Sequence, residues 1–569
     1  MRLFEKIRKW FGNQEHLFYL FLVVLTVPNV ALCFTEPMSW MAKVCNVLLP
    51  FSVYYVVMSR VRNCGWGFWM LFPVVFLGAF QLVLLYLFGR SIIAVDMFLN
   101  LVTTNSSEAF ELLDNLVPAL VFVTVLYVPA LVFATFSIAY KRRLGVKFVH
   151  AARRRAWIAL AVGVCSLLAA YGGDRRYELK ADLYPANVCY NIYLAFQRTA
   201  CTRNYPLTSA GFTYRAESSR QADGKEVYVM VIGETSRACN WSLYGYPRQT
   251  TPGLSRCEGL VAFPYVLSES NTTHKSVPML LSPVSAGDYD SLYYRKSIVT
   301  AFKEAGFHTA FFSNQRYNHS FIDFFGMEAD VCRFIKEESP VSGGNPSDAE
   351  LLKLVADVLK DGNEKQFIVL HLYGSHFNYR ERYPLGQAVY LPDTPADAEA
   401  KYKNSLVNAY DNTIWFTDRF LSELAGMLKM HGGDAAMLYT SDHGEDIFDD
   451  GRLLFLHASP VPSYYQIHVP FLVWLSEDYR RNHPAIWQAV QDNRLKNVSS
   501  SASFFHTMLG VGGIGTPYRN DSLSVAGNLF RERRRVYLND HNEARTLDDV
   551  GMQEEDFEML QRHGIGCWP

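Results

Sequence analysis

The chain has 569 residues, of which 50% are hydrophobic and only 19% charged, and its formal net charge is −1. This near-neutral balance gives no global basic field of the kind that nucleic-acid binding requires. The length allows several domains with a large buried core. Because the apolar residues are concentrated in residues 1–175, we expect a membrane part followed by a water-facing part.

Five long apolar stretches fill residues 1–175, which we interpret as a transmembrane domain. Each has roughly the 20 residues that a helix needs to cross a bilayer. The first is too long for a removable signal peptide and lacks a small-residue cleavage site. Buried helices of a soluble domain are the alternative, which five stretches in succession disfavour. The stretches are 16–36, 41–59, 66–89, 116–138 and 156–172.

Lys and Arg residues predict the orientation of these spans. They cluster before the first span, between the second and third, and between the fourth and fifth, where 141–155 holds seven of them. By the positive-inside rule these three segments are cytoplasmic. Because five is an odd number, we expect everything after the fifth span to lie on the outer side.

Two further segments accompany the spans and precede the predicted water-facing part. Segment 91–115 mixes apolar residues at helical spacing with polar ones, which favours an amphipathic helix at the membrane surface over a plain loop. Residues 176–224 are interpreted as a connector with interfacial helices.

Cysteines on the outer side can form disulfides in many combinations. Cys239 with Cys257 is one hypothesis.

From residue 225 onwards, short apolar runs alternate with helical patterns, of which 349–361 and 403–429 are the clearest. This alternation predicts an α/β domain over 225–569 with a mainly parallel sheet covered by helices. The apolar runs are 227–232, 308–313, 367–372, 435–440 and 469–475.

Four of these five runs end in polar residues that are capable of chemistry. In open α/β sheets ligands bind beyond the carboxyl ends of the strands, so we expect one site there. A single polar strand end is ordinarily a helix cap or a turn. The residues are Glu234, Thr235 and Ser236 after the first run, Asn314 and Gln315 after the second, His371 and His376 after the third, and Asp442, His443 and Glu445 after the fourth.

Asp442-His443-Gly444 is the strongest local indication of a metal site. A carboxylate and an imidazole side by side at a strand end can face one cation, because the glycine permits a sharp turn. Glu234 and His457 are candidates to join them. Their spacing is not that of a zinc finger, so the convergence depends on the fold.

The segment SNTTHKSVPM, 270–279, predicts a polar turn that leads into a short helix. A threonine hydroxyl at a helix N-terminus lies near free backbone N–H groups that can hold phosphate oxygens. Next to a metal such a hydroxyl becomes a nucleophile. The alternative for either threonine is a simple helix cap.

Together these motifs resemble the phosphoethanolamine transferases of Gram-negative bacteria, a branch of the alkaline phosphatase and sulfatase superfamily. The resemblance covers nearly the whole chain. It rests on VIGETSRACNWSLYGYPRQTTP (231–252), NTTHKSVPMLLSP (271–283), HLYGSHFNYRERYP (371–384), YDNTIWFTD (410–418), TSDHGED (440–446) and LHASP (456–460).

The resemblance implies the roles of individual residues. Thr273, rather than Thr272, is the nucleophile, because the family's threonine lies three residues before the SVP triplet. The metal ligands are Glu234, Thr273, Asp442 and His443. His376 and His457 act as catalytic residues that grip the donor phosphate or a second metal, and Asn314 and Gln315 complete the substrate-binding set.

The implied activity is transfer of phosphoethanolamine from phosphatidylethanolamine to lipopolysaccharide, at a lipid A phosphate or a core sugar. The family implies Zn²⁺, one ion firmly and a second possible, while the oxygen-rich ligands also suit Mn²⁺. It also implies a multi-pass protein of the bacterial inner membrane with its catalytic domain in the periplasm. Colistin-resistance members carry cysteines where this chain has Glu269 and Met279.

Three rival functions remain to be weighed. A sulfatase needs Arg where Leu280 follows Ser276-Val277-Pro278-Met279, so that chemistry is disfavoured. A phosphoglycerol transferase acting on a surface glycan shares the spans and the threonine, but the GSH and LHASP segments argue against it. A non-enzymatic receptor requires lost ligands, and all four principal positions are intact. The acceptor, the number of metals and the oligomeric state stay open.

Overall fold

A computed structural model describes residues 12–36, 38–89, 92–103, 117–174, 177–220, 224–338, 346–384 and 386–566. The chain divides into two compact units, Met1–Gln197 and Arg198–Pro569. The division falls inside the predicted connector, so the domain limits at 175 and 225 stay predictions.

The first unit is helical. Among the described residues, α1, α2, α6 and α7 are each long and apolar enough to cross a membrane, and the bent pair α3 and α4 would make a fifth crossing. The helices are α1 (Gln14–Thr35), α2 (Trp40–Arg60), α3 (Cys64–Met70), α4 (Phe72–Phe88), α5 (Val95–Thr103), α6 (Val117–Ala139) and α7 (Val146–Gly173).

The predicted span 66–89 is broken rather than continuous. Its two helices, α3 and α4, meet at Leu71 with a bend of 61°. Pro73 lies in the first turn of α4. Because proline has no N–H and its ring clashes with the carbonyl four residues earlier, a helix tends to break there. Pro73 favours the interruption but does not account for it alone, because α1, α2 and α6 each continue through an internal proline.

The helix that contains the last predicted span begins before that span. Helix α7 starts at Val146 rather than at 156, so Lys147 and Arg153–Arg155 lie on a helix and not in a loop. Lys and Arg are good helix formers, and their long stems let the charged ends reach water. Their placement in a loop was wrong.

The region between the spans and the sheet is also helical. Helix α5 occupies part of predicted segment 91–115, and 104–116 lies outside the described residues. A short helix, Leu179–Asp182, is followed by α8 (Ala186–Thr208). Helices therefore exist in the predicted connector, and their position at a membrane surface stays a prediction.

The second unit is built on a seven-stranded sheet, in the order β2-β7-β6-β1-β5-β3-β4. Strands β1, β3, β4, β5 and β6 are parallel, and β7 is antiparallel to both of its neighbours. In chain order the strands are β1 (Glu226–Gly233), β2 (Leu260–Phe263), β3 (His308–Ser313), β4 (Val331–Phe334), β5 (Lys365–His371), β6 (Asp434–Ser441) and β7 (Phe471–Leu475).

All five predicted runs are strands, and the α/β fold with a mainly parallel sheet is confirmed. Run 469–475 forms β7, which is antiparallel to both of its neighbours. A strand covered on both faces is a continuous apolar run in either direction, so its pattern carries no directional information. Strands β2 and β4 were not predicted, because four residues are too few to show a period.

Alternate residues of each strand face opposite sides of the sheet. On β1, Val227, Val229 and Val231 pack with α10 (Ala349–Lys360) and α11 (Lys403–His431). The intervening residues pack on the other face with α9 (Thr273–Leu281) and α12 (Ser500–Val511). Both predicted helices, 349–361 and 403–429, are thus present on one face.

The remaining elements are short. Helices are Ile298–Glu304, Phe321–Gly326, Ile335–Glu338, Tyr464–Ile467, Glu477–Asn482, Pro484–Asp492 and Glu554–Arg562; 3-10 turns are Ala238–Asn240, Ser242–Tyr244, Leu254–Arg256, Ala286–Tyr294, Tyr379–Glu381, Ala400–Tyr402 and Asp521–Leu523. Two-residue strands pair Glu217–Ser218 with Ile514–Gly515, Asp446–Ile447 with Phe455–Leu456, Val266–Leu267 with Val498–Ser499, and Tyr537–Leu538 with Ala544–Arg545.

The proposed bridge between Cys239 and Cys257 is wrong, since each is a free thiol in this structure. Cys239 packs against the cluster that contains Tyr464 and Tyr465. Cys257 packs against the separate cluster on the α10 and α11 face of the sheet. Because the two side chains pack in different clusters, their closeness in the sequence does not lead to a disulfide bond.

Candidate active site

The register of the central strands brings their carboxyl ends together. Ile232 of β1 pairs with His371 of β5 and with Thr440 of β6. On the far side of β5, Ser313 of β3 also pairs with His371. The polar residues that follow these strands therefore emerge at one edge of the sheet, as general experience of open α/β sheets predicts.

Thr273 lies at the centre of this edge. Its hydroxyl oxygen is 3.2 Å from each carboxylate oxygen of Glu234 and 3.1 Å from Nε2 of His443. It is the first residue of α9, where backbone N–H groups lack partners within the helix. The neighbouring Thr272 is the N-cap, and its hydroxyl lies 3.2 Å from Ser270. Only one of the two threonines thus faces the carboxylate and the imidazole.

Asp442 completes the group. Its Oδ1 accepts hydrogen bonds from the backbone N–H groups of Thr235 and His443, at 3.1 and 2.7 Å. Its Oδ2 lies 3.2 Å from Nε2 of His443 and accepts no hydrogen bond from the described residues. Thr235 has φ of 60°, an unusual value for a β-branched residue. The strained backbone at this strand end is what turns its N–H towards the carboxylate.

This arrangement fits a metal ion. Glu234, His443 and His457 offer ligand atoms that all lie within 4.8 Å of one another. Burial and the nearby Asp442 charge raise the pKa of the Glu234 carboxyl well above its usual range, and burial also raises the pKa of Asp442. Two buried carboxylates are costly together unless a cation lies between them. Oxygen and imidazole ligands are a set that Zn²⁺ accepts.

The hydrogen bonding of His443 supports the same conclusion. Nδ1 lies 2.9 Å from the carbonyl oxygen of Gly444, to which it donates as the protonated ring nitrogen. Nε2 is then unprotonated and faces Glu234, Asp442 and Thr273. Burial lowers the pKa of the His443 imidazole well below its usual value. A neutral imidazole fixed by a backbone carbonyl is the usual form of a metal-binding histidine.

His457 is held by a residue to which the sequence had given no role. Its Nδ1 lies 3.0 Å from Oε2 of Glu445, and its ring centroid is 4.3 Å from that of His443. Tyr379 donates its hydroxyl hydrogen to the other oxygen of Glu445. Both Glu445 and Tyr379 lie in motifs that carried the family resemblance. Their place in those motifs was the one indication in the sequence that they support the site. Glu445 orients His457 from behind, in the way that carboxylates commonly orient ligand histidines.

His376 lies farther out at the same edge. Its ring centroid is 6.1 Å from that of His457 and 5.2 Å from that of Tyr373, on which it stacks with an angle of 18°. Nδ1 lies 2.5 Å from the carbonyl oxygen of Phe377. His376 and His457 therefore face the same region from different strand ends.

Asn314 and Gln315 are placed differently from each other. The side-chain amide of Gln315 donates to Oε2 of Glu234 at 3.3 Å, so it contacts the core of the site. The amide of Asn314 donates to Asp348 and to the carbonyl of Pro346. Asp348 in turn accepts from the backbone at 373–374. Asn314 supports the turn that precedes His376.

The YDN segment, 410–412, holds the loop that follows β1. The hydroxyl of Tyr410 donates to the carbonyl of Thr235 at 2.7 Å and accepts from the backbone N–H of Arg237. Asp411 accepts from Asn240 at 2.7 Å. These contacts hold the loop after β1, and hence Glu234, on helix α11.

The profile of the sulfatase family matches residues 226–514, which is more than half of the chain. The chain therefore belongs to the sulfatase family. This agrees with the superfamily that the sequence motifs resemble, whose members are not all sulfatases by activity.

The chain is also similar to curated phosphoethanolamine transferases. It is 29% identical over 378 residues to phosphoethanolamine transferase EptA of Escherichia coli (strain K12), a match that covers 63% of this chain and spans 65% of the length of that relative. It is 27% identical over 336 residues to EptC of the same strain, covering 56% of each chain.

Solved structures show the same fold. The integral membrane lipooligosaccharide phosphoethanolamine transferase A from Neisseria meningitidis matches with a TM-score of 0.70 and 22% identity, over 90% of this chain and 97% of the other. The C-terminal periplasmic domain of EptC from Escherichia coli, in complex with Zn, matches with a TM-score of 0.55 and 24% identity, over 60% and 98%.

Proposed function

We propose that this chain transfers phosphoethanolamine from phosphatidylethanolamine to lipopolysaccharide, at a lipid A phosphate or a core sugar, through a covalent intermediate on Thr273. One observation carries the proposal: the Thr273 hydroxyl lies within 3.2 Å of Glu234 and His443 at the start of helix α9. The names of the curated relatives supply the transferred group.

Glu234, Thr273, Asp442 and His443 are the residues that would hold Zn²⁺, and a Zn complex of a structural neighbour supports that choice of ion. When bound, the ion lowers the pKa of the threonine hydroxyl and offsets negative charge on the phosphoryl oxygens.

In the first displacement, the Thr273 oxygen bonds to the phosphorus of the donor, and the bond from phosphorus to the glycerol oxygen breaks. Glu234 is the hydrogen-bond acceptor within reach of the threonine proton. Diacylglycerol leaves with a proton. Thr273 is at the N-terminus of α9, and a helix N-terminus favours the negative charge that the phosphoryl oxygens carry.

In the second displacement, an oxygen of the acceptor bonds to phosphorus and the bond to Thr273 breaks. His457 has Nδ1 paired with Glu445, and His376 has Nδ1 paired with a backbone carbonyl. Each therefore keeps Nε2 for the substrate side, where it stabilises the phosphoryl oxygens or accepts the acceptor proton. The donor and the acceptor are both lipids, so a catalytic unit on the periplasmic face of the inner membrane suits them.

A phosphoglycerol transferase is the remaining alternative, and the curated relatives favour phosphoethanolamine. Mass spectrometry of lipopolysaccharide from cells with and without the protein tests the proposal. We expect a phosphoethanolamine increment that requires Thr273, with label arriving from ethanolamine. Label arriving from glycerol, or an unchanged lipopolysaccharide, would reject it.

A further inference from the structure

We propose that Arg382 is a positioning residue that fixes both the backbone and the ring of His376. The inference rests on the proposed function, because His376 has its task there. Arg382 is only 6% exposed and forms no ion pair with another described residue, which is unusual for an arginine.

The guanidinium group donates to two consecutive backbone carbonyls, those of His376 and Phe377. Nε donates to the carbonyl oxygen of His376 at 2.8 Å, and Nη2 donates to the carbonyl oxygen of Phe377 at 3.1 Å. The Phe377 oxygen also accepts from Nδ1 of His376. One carbonyl therefore joins the arginine to the imidazole, and moving either group disturbs the other.

The same arginine supports the ring through Tyr373. The guanidinium carbon lies 3.9 Å from the centroid of the Tyr373 ring, and His376 stacks on that ring. Nη1 of Arg382 is buried without an acceptor in the part of the chain that the structure describes. Its position against an aromatic face accounts for it, because the π face attracts the cationic N–H group.

Tyr373 is itself anchored at the strand end. Its backbone N–H and that of Gly374 donate to the Asp348 carboxylate at 2.8 and 2.9 Å. The ammonium group of Lys336 also lies 3.5 Å from the ring centroid of Tyr373. Tyr373, on which His376 stacks, therefore has anchors other than Arg382. Arg382 joins Tyr373 to the backbone of His376 and Phe377.

Arginine suits this position because its planar fork donates in two fixed directions while it stacks. With Nδ1 held by a carbonyl, the imidazole presents Nε2 in one direction only. Loss of the fork frees the loop and the ring together. A misplacement of about 1 Å in an active site can cost about a hundredfold in rate.

A double-mutant cycle tests the proposal. We expect Arg382→Ala to lower kcat by about ten- to a hundredfold with KM within about twofold, and to cost less than about twofold more once His376→Ala is present. Arg382→Lys, which keeps the charge but not the fork, should retain part of the activity. Arg380→Ala is the matched control, since Arg380 pairs with Asp393 in the same segment. Equal losses in both backgrounds would overturn the proposal.

A second readout needs no turnover. The rate at which diethylpyrocarbonate modifies His376, followed by peptide mass spectrometry, should rise in Arg382→Ala and in Arg382→Lys but not in Arg380→Ala. An unchanged rate in both Arg382 variants would overturn the positioning role. Absence of a modified Thr273 in the unaltered enzyme given phosphatidylethanolamine would instead reject the proposed function, whatever the labelling shows.

Discussion

The hydroxyl oxygen of Thr273 lies 3.1 Å from Nε2 of His443, although the two residues are 170 positions apart in the chain. Helix α9 carries the threonine on one face of the sheet, and strand β6 ends at Ser441, two residues before the histidine. The contact therefore joins a helix N-terminus, where the backbone favours an anion, to a strand end, beyond which ligands of open α/β sheets bind. It makes the following predictions specific.

Variants of Thr273 and of the neighbouring Thr272 should differ in their transfer activity. We expect Thr273→Ala to lower transfer by at least about 10³-fold, since removal of a nucleophile usually has effects of that order or larger. Thr273→Ser keeps a hydroxyl and should retain measurable activity. Thr272→Ala is the matched control: it loses one hydrogen-bonding hydroxyl, at a cost of about 1 kcal/mol, and should stay active. The measurement is transfer from labelled phosphatidylethanolamine, and the reverse ranking would contradict the assignment.

Metal removal should affect activity and stability together. We expect chelation to abolish transfer and Zn²⁺ to restore it. Zn²⁺ should also raise Tm, because a ligand that binds only the folded protein stabilises it and the ion relieves the repulsion between the Glu234 and Asp442 carboxylates. Asp442→Asn should lose both the bound metal, measured by elemental analysis, and the rise in Tm. Full turnover of a metal-free sample would contradict the site.

Glu445 should act through His457. Glu445→Gln should lower activity by about ten- to a hundredfold, the usual effect of removing a carboxylate that orients a ligand histidine. Tyr379→Phe removes one donor to Glu445 and should have a smaller effect in the same direction. Both are measured as kcat in purified enzyme. If Tyr379→Phe proved more damaging than Glu445→Gln, the carboxylate would not be the link.

Gly374 should be sensitive for a reason that concerns Glu234. A Cβ at Gly374 would lie 2.7 Å from the carbonyl oxygen of Glu234, and the residue has φ of +49°. Gly374→Ala should therefore displace the Glu234 backbone and reduce activity in the folded protein. Gly362→Ala is the matched control, because φ is +75° there and nothing lies within 4 Å. It should cost about 1 kcal/mol of stability with normal activity. Equal activity in the two variants would contradict the prediction.

The fold was largely predictable because its signals are local. Apolar stretches of membrane length, and the alternation of strands with helices, are properties of short windows of sequence. The bend at Leu71 was not predictable from Pro73 alone, because Pro28, Pro50 and Pro129 lie inside helices that continue unbroken. The direction of β7 and the pairing of the cysteines were not local, because each depends on which element lies alongside.

The polar residues at the strand ends were identifiable by their chemistry, but the contacts that each of them makes were not. Nothing in the sequence distinguishes Gln315, which contacts Glu234, from Asn314, which supports Asp348. Neighbouring residues at a strand end point in opposite directions, and the register of the sheet decides which one faces the ligand.

By itself the sequence determined that this protein has membrane-length helices, an α/β unit and, at the strand ends, side chains of the types that can bind a metal. Composition and periodicity suffice for that, because burial and backbone geometry act on each segment separately. Only the tertiary structure decided that the Thr273 hydroxyl faces Glu234 and His443, that Glu445 lies behind His457, and that Arg382 holds His376. These are distances between segments far apart in the chain, and only the packing of the whole unit sets them.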